Sequence, residues 1–178
     1  MCDSSLKSLL GLSDDGGRNK IGFLLLNQFS MIAFASAIEP LRVANRQANK
    51  TIFDWVVTSL DGDGTIASNG VCFQARDNLD ALQDCLIVFV CAGLEVKDNT
   101  NKTVLNLIRR LDRSGIIIGA ICTGTYVMAA AGLLENRRCT IHWEHIDGLS
   151  EEFPNLDITN DLFEIDGNRI TCSGGTAS

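Results

Sequence analysis

Short apolar runs recur along the chain. Most are followed by a stretch whose apolar residues fall three or four apart. Residues 21–27 read IGFLLLN, 53–60 FDWVVTSL, 84–94 DCLIVFVCAGL and 116–121 IIIGAI. Runs this short, with little polar alternation, predict strands covered on both faces. Between them, residues 30–48 (SMIAFASAIEPLRVANRQA) place Ile32, Ala35, Ile38 or Glu39, and Val43 at helical spacing. Pro40 must sit where it disturbs that helix least, or kink it. Residues 100–115 form an amphipathic helix with Val104, Ile108 and Leu111 as its stripe and Gly115 as its stop.

A third helix is predicted over 123–131, ended by Gly132, and a fourth within HWEHIDGLSEEFP. Residues 61–70 (DGDGTIASNG) are turn chemistry followed by a short extended piece. LFEIDGNRITCSGG reads as two strands around Asp166-Gly167. Buried strands alternating with helices predict an α/β fold, a three-layer sandwich around a mostly parallel, flavodoxin-like sheet. The polar opening, residues 1–19, reads as a loose lead-in, and residues 20–178 as one domain. The final GGTAS resembles the first turn of another helix capped by Thr or Ser, which suggests a fragment boundary.

Composition narrows the function classes. The 178 residues are 46% hydrophobic and 21% charged, as expected of a globular domain. A net charge of −7 repels phosphate backbones, so this segment is a poor DNA binder by itself. The opening residues do not read as a signal peptide, and the apolar runs fall short of a membrane span. The seven cysteines (2, 72, 85, 91, 122, 139 and 172) are odd in number and show neither Cys-x-x-Cys nor Cys/His zinc spacing. They read as reduced thiols of a cytoplasmic protein, with no metal and no cofactor expected.

The candidate chemistry lies in GAICTGTYVMAAAGLL, residues 119–134. A strand runs into Cys122 and a helix starts at once. Such a junction presents its side chain at the carboxyl edge of the sheet, where α/β folds bind ligands. The new helix turns free N–H groups toward it, so the thiol is expected to ionise more easily than a free one. Gly93, ending the preceding strand, offers a backbone N–H as an oxyanion donor. His142 in CTIHW is the candidate base of a Cys–His pair. Three readings stay open for Cys122: nucleophile, pocket wall or packed core thiol. For His142 the alternative is a hydrogen-bonded structural histidine.

GAICTGTYVMAAAGLLENRRCTIHW resembles the elbow-to-histidine region of the PfpI/ThiJ class, with its class I glutamine amidotransferase-like fold. FSMIAFASAIEPLRVANR, DGTIASNG, CTIHWEH, EEFP and LFEIDGNRITCSGGTA are similar to one branch, the N-terminal domains of AraC-family transcription regulators. That resemblance covers roughly residues 20–178. It implies a domain that senses a small metabolite and forms a homodimer. DNA would be bound only through a C-terminal helix-turn-helix domain absent from this chain. It also implies a small nitrogen compound as ligand, such as a quaternary ammonium or an amino-acid derivative.

One departure bears on catalysis. Enzymes of the class place a carboxylate four residues before the proline of the first helix, against the elbow cysteine, and here that position is Ser36. Glu39 is one residue from Pro40 and points elsewhere. Thr123 follows Cys122, so the adjacent Cys-His of peptidase-like members is absent. Hydratase-like members do carry Cys-Thr, but they keep the acid. The expected reading is therefore a non-catalytic ligand pocket of Cys122, Thr123, Gly93, His142 and Trp143, with Glu39 and Ser36 beside it. Trp55 is a further aromatic candidate, read first as packing. The alternative is a cysteine-dependent hydratase, amidohydrolase or glyoxalase-like enzyme using Cys122 and His142.

Overall fold

The computed structural model describes residues 19–178. Most of the predicted lead-in, residues 1–18, lies outside the described residues. The six strands of the main sheet are β1 (Asn19–Leu25), β2 (Phe53–Ser59), β5 (Ile87–Cys91), β6 (Ile117–Ile121), β9 (Phe163–Asp166) and β10 (Arg169–Cys172). They lie in the order β2-β1-β5-β6-β10-β9, and only β9 runs antiparallel. The predicted mostly parallel sheet and the hairpin around Asp166-Gly167 are both present. Two small ladders complete the fold: β3 (Thr65–Ile66) with β4 (Cys72–Phe73), where a short extended piece is expected beside the turn chemistry, and β7 (Arg138–Thr140) with β8 (Asp157–Thr159), which the hydrophobic pattern misses. At two or three residues each, they are too short for periodicity to reveal.

Period two explains why the strands look uniformly apolar. Leu24 and Leu26, Val88 and Val90, Ile118 and Ala120 point into one core with the short α2 (Val96–Asn99), α3 (Lys102–Arg113) and α4 (Gly124–Ala130). Val104, Ile108 and Leu111 fill that layer, as the amphipathic stripe predicts. The alternate residues, Ile21, Phe23, Leu25, Ile87, Cys91 and Ile121, face a second core under α1 (Met31–Ala48). Neither face of these strands meets water, so neither needs a polar residue.

The Ser30 side chain accepts from the Ala33 amide and caps α1. The helix turns Ala33 and Phe34 inward, while Ile32, at helical spacing with the other apolar residues, is 55% exposed. The inward face is set by an aromatic cluster in which Phe34 meets Phe23, Phe29 and Phe73 edge-to-face. Pro40 stays inside the helix on its exposed side; lacking an N–H, it leaves the Ser36 carbonyl without the usual helical donor. Asn45 fastens α1 to β2: its Oδ1 accepts from the Ile52 and Phe53 amides at 2.8 and 2.9 Å, and its Nδ2 donates to the Phe53 carbonyl at 2.7 Å. Residues Gly175–Ala177 form a single 3-10 turn, and the residue before it is Gly174, not a capping Thr or Ser.

Candidate functional site: the strand-to-helix elbow

β6 ends at Ile121 and α4 begins at Gly124, so Cys122 and Thr123 make the whole turn. Cys122 takes a φ of 61°, a left-handed conformation that is strained for any residue with a Cβ. Its amide donates to the Cys172 carbonyl at 3.2 Å, tying the turn to the neighbouring strand β10. The chain then passes directly over the elbow at Gly174. A Cβ at that position would stand 2.7 Å from the Cβ of Cys122, at a φ of 86° that also favours glycine.

Cys122 is therefore closed in, with 5% of its surface exposed. Burial pushes its thiol up to about 11; the Thr123 amide pulls the other way, and charge on Cys172 and Glu144 adds to the rise. The expected easy ionisation is not what this site provides. α4 is only seven residues long, and the field at its start is outweighed by the loss of water around the sulfur.

Thr123 and Gly93 are brought together. The buried Thr123 hydroxyl donates to the Gly93 carbonyl at 2.7 Å, locking the start of α4 to the end of β5. Gly93 itself lies against residues 28–30, where a Cβ would run into the Gln28 carbonyl oxygen. His142 and Trp143 form a second group. Half-buried His142 precedes the 3-10 turn Trp143–His145, and its Nδ1 accepts from the Glu144 amide at 3.4 Å. Trp143 stacks on His142 at 5.8 Å between ring centroids and is 72% exposed. Burial, followed by the nearby His142, lowers the His145 pKa. Glu144, which hydrophobic patterning passed over, is near enough to act on the Cys122 thiol through space.

The two α1 residues are placed apart from one another. Ser36 lines an apolar groove of about 450 Å³ together with Ile121 and Cys172, the immediate neighbours of the elbow. Glu39 faces solvent and accepts from Arg42 at 2.7 and 2.9 Å, which holds its carboxyl below the usual range. Among the described residues, no carboxylate hydrogen-bonds the Cys122 thiol. A second cavity, of about 360 Å³, lies between Glu95, Tyr126, His145 and Leu149. The elbow's cover by Cys172 and Gly174 had no signal in the sequence, because it depends on how β10 pairs with β6.

Comparison with known proteins places these features. The chain is 47% identical over 156 residues to the HTH-type transcriptional regulator CdhR of Pseudomonas aeruginosa, a match covering 88% of this chain and 46% of that protein. It is 35% identical over 160 residues to an isonitrile hydratase of Pseudomonas putida, covering 89% of this chain and 66% of that enzyme. A crystal structure of an AraC family transcriptional regulator from Pseudomonas putida superposes with a TM-score of 0.76 at 28% identity, over 89% of this chain and 85% of that one. The chain spans about half the length of the curated regulators it matches. The model of the DJ-1/PfpI family matches residues 19–178, the full span over which the sheet, the elbow and its cover are built, and the chain belongs to that family.

Proposed function

We propose that this chain is the small-metabolite-sensing and dimerisation part of a cytoplasmic, AraC-type transcription regulator, and that it holds its ligand without transforming it. DNA would be read by another part of the whole protein. One observation carries the non-catalytic reading: the elbow thiol is closed in under Gly174, where burial raises it to about 11, and by the resemblance Ser36 stands at the position of the acid in enzymes of the class. A thiol in that state is a poor nucleophile, and no group on α1 is placed to take its proton. His142, Trp143 and Ser36 then serve binding, while the buried Cys122, Thr123 and Gly93 shape the elbow and Glu39, turned to solvent, stays outside it. A small nitrogen compound suits the exposed indole of Trp143, since a cation over an aromatic face gains about 0.5–2 kcal/mol. The likeness to CdhR supports the regulatory role.

A second reading has its own support. The Cys122-Thr123 elbow and the likeness to isonitrile hydratase favour a cysteine-dependent hydratase or hydrolase with His142 as base. Thermal-shift titration against small amines, betaines and amino acids, run beside turnover assays with an isocyanide, an amide and a glyoxal, separates the two. Sensing predicts that at least one compound raises Tm with no turnover, because a ligand specific to the native state must stabilise it. Turnover lost in Cys122→Ser would establish the enzyme instead.

A further inference from the structure

The two edges of the main sheet, β2 on one side and β9 on the other, differ in how their outward backbone is covered. Along β2 side chains take the outward amides: Phe53 donates to Asn45 Oδ1 at 2.9 Å, and Trp55 and Val57 donate to Asp54 and Asp77, each at 3.0 Å. No such cover lies along β9 among the described residues. Its alternation is fixed at both ends. The two-residue turn Gly167-Asn168 closes the pair Asp166–Arg169, and the Ser173 amide donates to the Leu162 carbonyl at 2.9 Å. Residues 162, 164 and 166 therefore turn their backbone toward β10. The N–H and C=O groups of Phe163 and Ile165 point the other way, and among the described residues nothing hydrogen-bonds them. A bare row of this kind is a template for another strand. The side chains along it are apolar and open: Leu162 is 65% exposed and Phe163 59%.

We propose that β9 is the surface through which two copies of this chain pair, antiparallel and edge to edge. The strand is self-complementary. With Glu164 on the two-fold axis, Phe163 lies across from the partner's Ile165, and each free N–H of one copy reaches a free C=O of the other. Aromatic and β-branched side chains make a favourable cross-strand pair. Phe163 and Ile165 share a face with Cys172 and Ile170, their neighbours on β10, and Phe163 lines the apolar groove beside Ser36. The partner's Ile165 thus extends the outer wall of that groove. Charge does not forbid the pairing, although the chain carries −7. On the opposite face Glu164 is held by Arg138 at 3.0 Å and Asp166 by Arg137 at 2.9 Å, so each copy brings its carboxylates to the seam already paired. A strand of another protein would need the same apolar register and the same neutralised charge; a second copy has both. The inference rests on the dimerisation proposed for this domain and names the strand that carries it.

Sedimentation velocity of the full chain over a range of concentrations is the test, with amide hydrogen exchange read on the same samples. The expected result is a dimer in which the Phe163 and Ile165 amides gain protection as concentration rises. Phe163→Lys, at an exposed position, should raise the dimer dissociation constant about tenfold. Ile165→Pro should weaken the dimer too, since it removes a free N–H where an edge strand tolerates proline. Ile32→Ser, at an exposed apolar residue of α1, should leave the dimer unchanged. Thermal melting of each variant confirms its fold before association is read. A dimer indifferent to Phe163→Lys and Ile165→Pro, or one in which the Phe163 and Ile165 amides exchange freely, overturns this interface and leaves dimerisation to another surface. A chain that stays monomeric at every concentration overturns the interface and the dimerisation reading together.

Discussion

Replacing Thr123 with valine keeps the shape of the elbow and removes only the hydroxyl that donates to Gly93. A buried carbonyl then loses its partner, so Thr123→Val should destabilise the fold by about 1–3 kcal/mol in urea titrations. Gly174→Ala tests the cover over the sulfur. The added methyl stands 2.7 Å from the Cys122 Cβ, so stability should fall and alkylation of Cys122 should speed up. In the unaltered protein at neutral pH, iodoacetamide should reach Cys72 well before Cys122. Cys72 is exposed, whereas Cys122 is buried with its thiol pushed up to about 11. Peptide mapping by mass spectrometry gives the order, and prior loss of Cys122 would show an open, activated thiol.

Asn45 is the point at which an element depends on one side chain. Its three hydrogen bonds join α1 to the start of β2, so Asn45→Ala should cost about 2–3 kcal/mol. Amide exchange of Ile52 and Phe53 reports it directly. Strands and helices of this kind were legible beforehand, because runs such as Ile116 to Ile121 and the stripe Val104, Ile108, Leu111 carry their periodicity openly. Thr65–Ile66 and Arg138–Thr140 carry none. The elbow itself was legible, since a strand, a cysteine and a helix start adjoin in sequence. Its burial was not, because Cys172 and Gly174 come some fifty residues later and arrive only through the pairing of β10 with β6. The local cues around Cys122 pointed to an ionised thiol, and a long-range contact reversed them.

Across the whole molecule, protonation couples to stability. Cys85, Cys122 and Cys139 all have thiols raised to about 11 by burial. A group raised in the folded state contributes stability that is complete below its unfolded value near 9 and is lost as pH climbs toward 11. Chemical denaturation should therefore show a plateau at neutral pH and a steep decline above pH 9, less steep in Cys122→Ala. Charge sets a second property at this scale. With a net charge of −7, the chain should show no measurable anisotropy change with duplex DNA at about 100 mM salt.

The claim on which the functional reading rests is that ligand leaves the domain chemically unchanged. Proton NMR of a metabolite that raises Tm, mixed with stoichiometric protein and followed for hours, measures this directly. The account predicts broadened ligand signals that return at full intensity after the protein is removed, with no new resonance. A product resonance that grows with time and disappears in Cys122→Ser would contradict it.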